Sequence, residues 1–153
     1  MTALIGVDPG LTGALCLLHD DGIDIADMPI LDSTVDPYEL TSILVGWGHV
    51  DRIIIERQQT RPGQGAPGTL KTGTNYGIII GVCGALARPV EYVTPAMWTK
   101  ALSVGSDKGA HRLRAKQLWP DQADLFRRAK DDGRADAALI AWWAATKRKE
   151  QAA

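Results

Sequence analysis

Residues 3–13 read ALIGVDPGLTG. The apolar run ends in Asp8 and is followed by Pro-Gly and then by a second glycine, a pattern typical of a buried strand that ends in a turn. An ionised carboxylate is costly to bury unless it is paired or binds a cation. Asp8 is therefore a candidate metal ligand or phosphate-facing group, or else an ordinary turn residue before Pro-Gly. This stretch alone does not decide between the two.

Length and composition are those of an ordinary globular domain. The chain has 153 residues, of which 45% are hydrophobic and 23% charged, so we expect one domain spanning residues 1–153. No apolar run approaches the roughly 20 residues that cross a bilayer, and no basic region precedes the first apolar stretch. The expected location is the cytoplasm, of a bacterial cell or a phage-infected host, with no membrane partner. Cys16 and Cys83 lie in apolar runs and are expected to be small buried hydrophobic residues.

Charge is distributed unevenly although the formal net charge is −1. The first 51 residues carry nine acidic residues and no Lys or Arg, whereas residues 100–149 carry twelve Lys or Arg against six Asp. This asymmetry indicates one basic face that could follow a phosphate backbone. The alternative is that Lys147-Arg148-Lys149 form a solvated tail and that the other charges lie on helix surfaces.

Hydrophobic periodicity and turn residues predict the order of elements. We expect, in chain order, strands at 3–7, 13–18 and 22–28, a helix from Pro37 to about Gly46, a strand at 53–55, an exposed loop at 57–69, a helix at 70–86, a strand at 91–93, helices at 95–102 and 108–118, and a last helix from about 134 to 146. This order predicts an α/β fold whose mixed sheet combines an antiparallel three-strand meander with parallel strands and carries helices on both faces.

Small residues recur along the predicted helix at 70–86. They are Gly73, Gly77, Gly81 and Ala85, spaced four residues apart. One face of this helix therefore lacks bulk, which permits close approach of a sheet, another helix or a ligand backbone. We interpret the stripe chiefly as a packing surface.

Four acidic residues form a candidate set. Asp8 and Glu56 each end an apolar strand, so the two side chains converge if those strands are neighbours. Asp132 and Asp136 are four residues apart, a spacing that places both on one helical face. Four such carboxylates could hold two Mg²⁺ ions and support hydrolysis of a phosphodiester. Asp131 and Asp132 could instead cap the helix.

The three histidines suggest no competing catalytic arrangement. His19, His49 and His111 all lie at plausible surface positions, and we assign none of them a catalytic role. With only two scattered Cys and three His, a structural zinc site is not expected.

Several motifs together resemble one known family. They are GVDPG with TG at residues 6–13, IIIE at 53–56, YVTPAMWTK at 92–100 and DGRADA at 132–137. In order and spacing these resemble the RuvC-type Holliday junction resolvases, especially their phage and prophage relatives within the ribonuclease H-like superfamily. The resemblance covers residues 3–146.

The resemblance implies an activity and a set of site residues. Asp8, Glu56, Asp132 and Asp136 would bind two Mg²⁺ or Mn²⁺ ions and direct cleavage of four-way DNA junctions by a homodimer that makes paired nicks. Residues expected to contact DNA are Arg57, Gln58, Gln59, Arg61, Lys71, Lys100, Lys108, Arg112 and Arg114. The better-known bacterial members have their last two acids three residues apart, which would place the partner of Asp136 at Gly133. Asp131 therefore remains an alternative to Asp132.

Other functions remain possible from the sequence. A nuclease on the same scaffold could act on other branched DNA, on RNA or on RNA–DNA hybrids with the same acids. A catalytically inactive relative that only binds branched DNA is disfavoured because all four acids are present. An ATP-binding protein of the actin and sugar-kinase type also uses an acid, Gly and Thr after its first strand, but such proteins usually need two domains.

Overall fold

The computed structural model describes the backbone of residues 3–152 and their side chains other than those of Lys149 and Ala152. Residues 1, 2 and 153 of the expected domain lie outside this range. The strands are β1 Leu4–Asp8, β2 Ala14–His19, β3 Gly22–Asp27, β4 Ile30–Leu31, β5 Thr34–Val35, β6 Arg52–Glu56 and β7 Val90–Val93. The helices are α1 Pro37–Gly46, α2 Gly65–Ala85, α3 Pro95–Ala101, α4 Lys108–Leu118 and α5 Asp132–Ala152. Short 3₁₀ turns at Pro120–Phe126 and Ala129–Asp131 connect α4 to α5.

Five strands form a mixed sheet in the order β3-β2-β1-β6-β7. The pairs β1–β2 and β2–β3 are antiparallel, and the pairs β1–β6 and β6–β7 are parallel. The predicted meander with added parallel strands is therefore confirmed. A separate two-stranded hairpin, β4–β5, follows the meander.

Successive side chains along each strand point to opposite faces of the sheet, and each face packs against a different hydrophobic cluster. Ile5 and Ile55 belong to a buried cluster that includes residues of α1 and α2. Leu4 and Ile54 belong to a cluster on the opposite face that includes residues of α3 and α5. Helices therefore cover both faces, as predicted.

Helix α5 lies directly on strand β1 because Gly6 has no side chain. A Cβ added at Gly6 would stand 2.1 Å from the carbonyl oxygen of Ala137 and 2.6 Å from the backbone nitrogen of Ala141. Neither backbone atom can move without shifting the helix. The contact brings the first turns of α5 to the carboxyl end of β1.

Replacing Gly6 with Ala should therefore lower the free energy of unfolding by about 3 kcal/mol, since overpacking against backbone costs this much. Urea unfolding measures the change. Gly46→Ala is the matched control, because no described atom lies within 4 Å of a Cβ added there. Equal stabilities of the two variants would contradict the account of α5 packing.

Two helix boundaries differ from prediction. Helix α2 begins at Gly65, five residues before the predicted start at Leu70. Pro67 lies in its first turn, where a missing N–H costs nothing. The Gln64 side chain supports this turn by donating to the Gly68 carbonyl and the Thr72 hydroxyl. The helix start was missed because its glycine and proline residues are more typical of a loop.

The predicted end of the last helix at residue 146 is also wrong, and the alternative of a solvated tail does not hold for Lys147 and Arg148. Helix α5 continues to Ala152. Lys147 Nζ lies 3.6 Å from a carboxylate oxygen of Glu91, and Arg148 donates to Asp51 at 3.3 Å. Two of the three basic residues therefore pair with acids instead of extending freely into solvent. The side chain of Lys149 is outside the described part.

The small-residue stripe of α2 does not pack within the described chain. Gly73, Gly77 and Gly81 are exposed, and an added Cβ at any of them would meet no described atom within 4 Å. The packing interpretation is therefore wrong for contacts within residues 3–152. Both cysteines, in contrast, are buried and free, as expected. None of the described helices combines the length and apolar character needed to span a membrane.

Candidate active site

Two strand ends place the first pair of acids side by side. Asp8 ends β1 and Glu56 ends β6, and Val7 faces Ile55 in the parallel register of these strands. Asp8 and Glu56 each follow one residue later, so both project from the sheet face that α5 covers. The predicted convergence of the two carboxylates is present in the structure.

Helix α5 supplies the second pair of acids. Asp132 is its first residue and Asp136 begins its second turn. All four predicted acids, Asp8, Glu56, Asp132 and Asp136, line one open cleft of about 610 Å³. The sequence therefore brings carboxylates from two strands and one helix to a common site.

Burial and mutual repulsion perturb the acids at the strand ends. Burial, together with the nearby charges of Asp136 and Glu56, raises the pKa of Asp8 from 3.8 to about 7. Burial also raises the pKa of Glu56, although a hydrogen bond from Trp98 opposes the change. Burial and mutual repulsion disfavour the ionised forms of these carboxylates, and a bound cation would stabilise those forms. Oxygen donors suit a hard divalent ion such as Mg²⁺. The donor set thus fits the implied metal.

Two basic residues of α4 contact the acids of α5. Lys108 pairs with Asp136 and Arg112 pairs with Asp132. Burial opposes the charge of Lys108, but bonding and attraction to Asp136 outweigh it and raise the Lys108 pKa. Among residues 3–152, no three acidic, His or Cys side chains stand together as a ready-made metal cage. The two α5 carboxylates bond to these basic side chains, whereas Asp8 accepts from the Gly10 backbone N–H and Glu56 accepts from Trp98.

Asp131 has a structural environment that distinguishes it from Asp132. It is buried and accepts hydrogen bonds from the Arg128 backbone N–H at 2.7 Å, and from its Nη2 at 2.8 Å and Nε at 3.1 Å. Burial alone would raise the pKa of Asp131, but these bonds lower it. The side chain of Asp132 is 35% exposed. Both acids line the cleft, but Asp131 is held by Arg128 at the start of α5, whereas Asp132 is the more exposed of the two and is the better candidate ligand.

The backbone explains why the acid does not stand at residue 133. A Cβ added at Gly133 would lie 2.4 Å from the Thr12 carbonyl oxygen and 2.7 Å from the Gly13 Cα. The turn between β1 and β2 therefore presses on α5 at this point. Only glycine fits, so the three-residue spacing to Asp136 is not available in this chain.

The surface assignment of His111 is wrong. The residue is only 2% exposed, and its Nδ1 lies 2.7 Å from Oδ1 of Asp136. Burial disfavours a charged His111, but hydrogen bonds with Asp136 and the Gly105 carbonyl raise its pKa. A signal was present in the sequence, since residues 108, 111, 112 and 115 share one face of α4. His19 and His49 are more exposed, and their side chains lie near acids on the surface.

The indole of Trp98 is a second group that the sequence did not reveal. This residue lies in α3 and is 1% exposed, and its Nε1 donates to Oε2 of Glu56 at 2.7 Å. Trp98 lies between Met97 and Thr99 in the sequence, and these neighbours give no local sign of such a contact.

Four of the residues expected to contact DNA lie at or beside the acids. Gln58, Arg61 and Lys108 line the cleft, and Arg112 bonds to Asp132. Gln59 lines a shallow pocket on the loop at 57–64. Lys71 lines an adjoining cavity with Gln58 and the turn at Pro9–Leu11.

Three others lie elsewhere. Arg57 follows Glu56 and therefore points to the opposite face of the sheet, where its guanidinium stands 5.1 Å from the Tyr92 ring centre. Lys100 is exposed on α3 outside the cleft lining. Arg114 lines a groove between α4 and α5, and its Nε is buried without a partner among the described residues. Conversely, Arg128 and Lys130 line the acidic cleft but were not predicted to do so.

Comparison with known proteins supports the fold. No protein-family model matches the sequence, and no curated protein matches it significantly. RuvC of Thermus thermophilus in complex with a Holliday junction substrate is 16% identical with a TM-score of 0.68, over 98% of this chain and 96% of that one. Another T. thermophilus RuvC structure is 17% identical with a TM-score of 0.66, over 98% and 97% of the two chains.

A third similar structure comes from a eukaryote. The yeast mitochondrial Holliday junction resolvase Ydc2 is 18% identical with a TM-score of 0.58, over 96% of this chain and 81% of that one. The match to the phage and prophage branch stays a prediction. The chain has the ribonuclease H-like fold of the RuvC-type resolvases, as its sequence motifs predicted.

Proposed function

We propose that this protein is a structure-specific endodeoxyribonuclease that resolves four-way DNA junctions. The observation that carries the proposal is the convergence of Asp8, Glu56, Asp132 and Asp136 in one cleft. Similarity in fold to solved Holliday junction resolvases adds support. Residues 1–153 would act as one nuclease domain.

The four acids would hold two Mg²⁺ ions, with Mn²⁺ as a substitute. Such a pair of ions supplies a nucleophilic water at neutral pH and positive charge for the phosphodiester. In this scheme Asp8 and Glu56 contribute ligands from a rigid sheet, and the α5 acids contribute ligands from the opposite wall. The acids must be ionised to bind, so metal affinity should fall as pH drops below about 7, where Asp8 takes up a proton.

Basic side chains at the cleft would bind the DNA backbone. Arg61, Lys108, Arg128 and Lys130 line the same cleft as the acids. They would neutralise phosphates on either side of the cut bond and hold it against the carboxylates. Because the formal net charge of the chain is −1, attraction must come from this local group, and junction affinity should fall steeply with salt.

The small-residue stripe of α2 supports a homodimer. Leu70 is 72% exposed, and Gly73, Gly77 and Gly81 continue the same helical face without bulk. We propose that a second copy packs here, which would set two clefts on one junction and allow paired nicks.

Gly77→Leu should therefore convert a dimer into a monomer, because the added side chain separates the two helices. Light scattering coupled to gel filtration measures the mass. Gly46→Leu, at an exposed position on α1, is the control and should remain dimeric. A wild-type monomer, or a dimeric Gly77→Leu variant, would argue against this interface.

Substrate preference tests the proposed activity. With Mg²⁺, the protein should cut a labelled four-way junction symmetrically and leave a linear duplex of the same sequence largely intact. Comparable cutting of the duplex, or of an RNA–DNA hybrid, would reject junction resolution in favour of another nuclease on this scaffold.

A further inference from the structure

We propose that Trp98 and His111 are positioning residues that hold Glu56 and Asp136 in the orientation in which they bind metal. The inference rests on the proposed metal site and assigns it two supporting side chains. Neither residue is expected to touch the substrate.

Each residue bonds to one acid through a buried donor. Trp98 Nε1 donates to Oε2 of Glu56 at 2.7 Å, and His111 Nδ1 lies 2.7 Å from Oδ1 of Asp136. The other ring nitrogen of His111 lies 3.0 Å from the Gly105 carbonyl oxygen, so the imidazole is held at both ends when both of its nitrogens carry a proton. A rotation of either ring would break these bonds.

The two rings also hold each other. Their centroids are 5.0 Å apart and their planes meet at 62°, an edge-to-face contact of the kind that aromatic rings prefer. Trp98 is 1% exposed and His111 is 2% exposed. Glu56 from the sheet and Asp136 from α5 are therefore linked through one buried aromatic pair, which fixes the separation of the two walls of the cleft.

This arrangement engages one oxygen of Glu56 but both oxygens of Asp136, so an ion bound by Asp136 would take the place of Lys108. The Trp98 bond uses Oε2 of Glu56, and the His111 contact uses Oδ1 of Asp136, while Oδ2 of Asp136 meets Lys108. A carboxylate already fixed by a donor loses less conformational freedom when it binds an ion. Loss of such an outer hydrogen bond typically weakens metal binding by about 10- to 100-fold.

Trp98→Phe tests the indole donor while keeping an aromatic ring. Trp143→Phe is the matched control, since Trp143 lies in the same buried cluster but faces Lys147, whose Nζ is 5.0 Å from its ring centre. Calorimetric titration of the DNA-free protein with Mn²⁺ should show about tenfold weaker binding for Trp98→Phe. The control should stay within about twofold of wild type. Equal affinities for the two variants would overturn the proposal.

His111 is tested by a pair of substitutions with opposite consequences. Asn places an amide N–H near the position of Nδ1 but removes the ring, whereas Phe keeps a ring and removes both polar atoms. A positioning role predicts that His111→Asn binds Mn²⁺ more tightly than His111→Phe. A purely structural role predicts the reverse order, which would overturn the assignment. Urea unfolding shows that each variant compared is folded.

Nuclear magnetic resonance gives a readout independent of affinity. The indole N–H signal of Trp98 is identified as the one that disappears in the Trp98→Phe variant. This signal should shift when Mg²⁺ is added to wild-type protein, whereas the signal of Trp143 should not. Absence of a shift at Trp98, in protein that binds the ion, would overturn the inference alone. If wild-type protein and Asp8→Asn bind Mn²⁺ equally, the proposed metal site itself fails.

Discussion

Asp8→Asn should reduce the rate of junction cleavage by about a thousandfold or more, equivalent to about 4 kcal/mol of transition-state stabilisation. Asp8 ends the central strand β1 and shares the cleft with the three other acids. An amide at this position cannot supply the lost negative charge to a metal ion. Junction binding, which depends on basic residues of the cleft, should change little. Gel assays of cutting in Mg²⁺ and of binding without cutting separate these effects.

The same substitution should make the metal-free protein more stable near pH 8. The pKa of Asp8 is raised from 3.8 to about 7 in the folded state, so folded protein holds a proton that unfolded protein has released. Its contribution to the free energy of unfolding therefore falls as pH rises from about 4 to about 7 and stays low above that range. Because Asn does not ionise, the free energy of unfolding of the variant does not fall in this way.

We expect a gain on the order of 2 kcal/mol near pH 8 and little difference near pH 4, after discounting for solvent access to the cleft. Urea unfolding in the presence of a chelator measures both. Asp20→Asn, at an exposed acid, is the control and should change stability little at either pH. A less stable Asp8→Asn variant near pH 8 would contradict the account of a self-repelling acid cluster.

Adjacent acids at the start of α5 should respond in different ways. Asp131→Asn should lower the free energy of unfolding by about 2 kcal/mol, because it removes the charge-assisted bonds that the buried carboxylate accepts from Arg128. Its folded fraction should still cut junctions. Asp132→Asn should keep nearly full stability and lose cleavage by about a hundredfold, equivalent to about 3 kcal/mol.

Unfolding curves and cleavage rates on the same two preparations give the comparison. Each variant serves as the control for the other, since both remove one charge from the same turn. A stable, inactive Asp131→Asn together with an active Asp132→Asn would show that the ligand has been assigned to the wrong residue.

Local sequence patterns were sufficient to predict most of the strands and helices. The runs ending in Asp8 and Glu56 were both predicted as strands, and the convergence of the two acids follows because these strands pair in parallel. The position of Arg57 could also be predicted, because side chains alternate along a strand and Arg57 must point to the face of the sheet opposite to that of Glu56. These features depend only on neighbours in sequence or on one strand pairing.

Features that depend on contact between distant elements were not predictable in this way. The burial of His111 requires α4 to pack on α5, and the role of Trp98 requires α3 to reach the end of β6. The choice between Asp131 and Asp132 depends on Arg128 and on the turn that presses against Gly133. Only the folded chain brings these groups together.

A supercoiled plasmid that extrudes a cruciform provides the most direct test of the central claim. Two nicks made at one junction release linear plasmid, whereas single nicks release open circles. Wild-type protein with Mg²⁺ should produce linear molecules that depend on the cruciform, and Asp8→Asn should produce none. Linear product from Asp8→Asn, or equal cutting of a plasmid that lacks the cruciform, would contradict junction resolution by this carboxylate cluster.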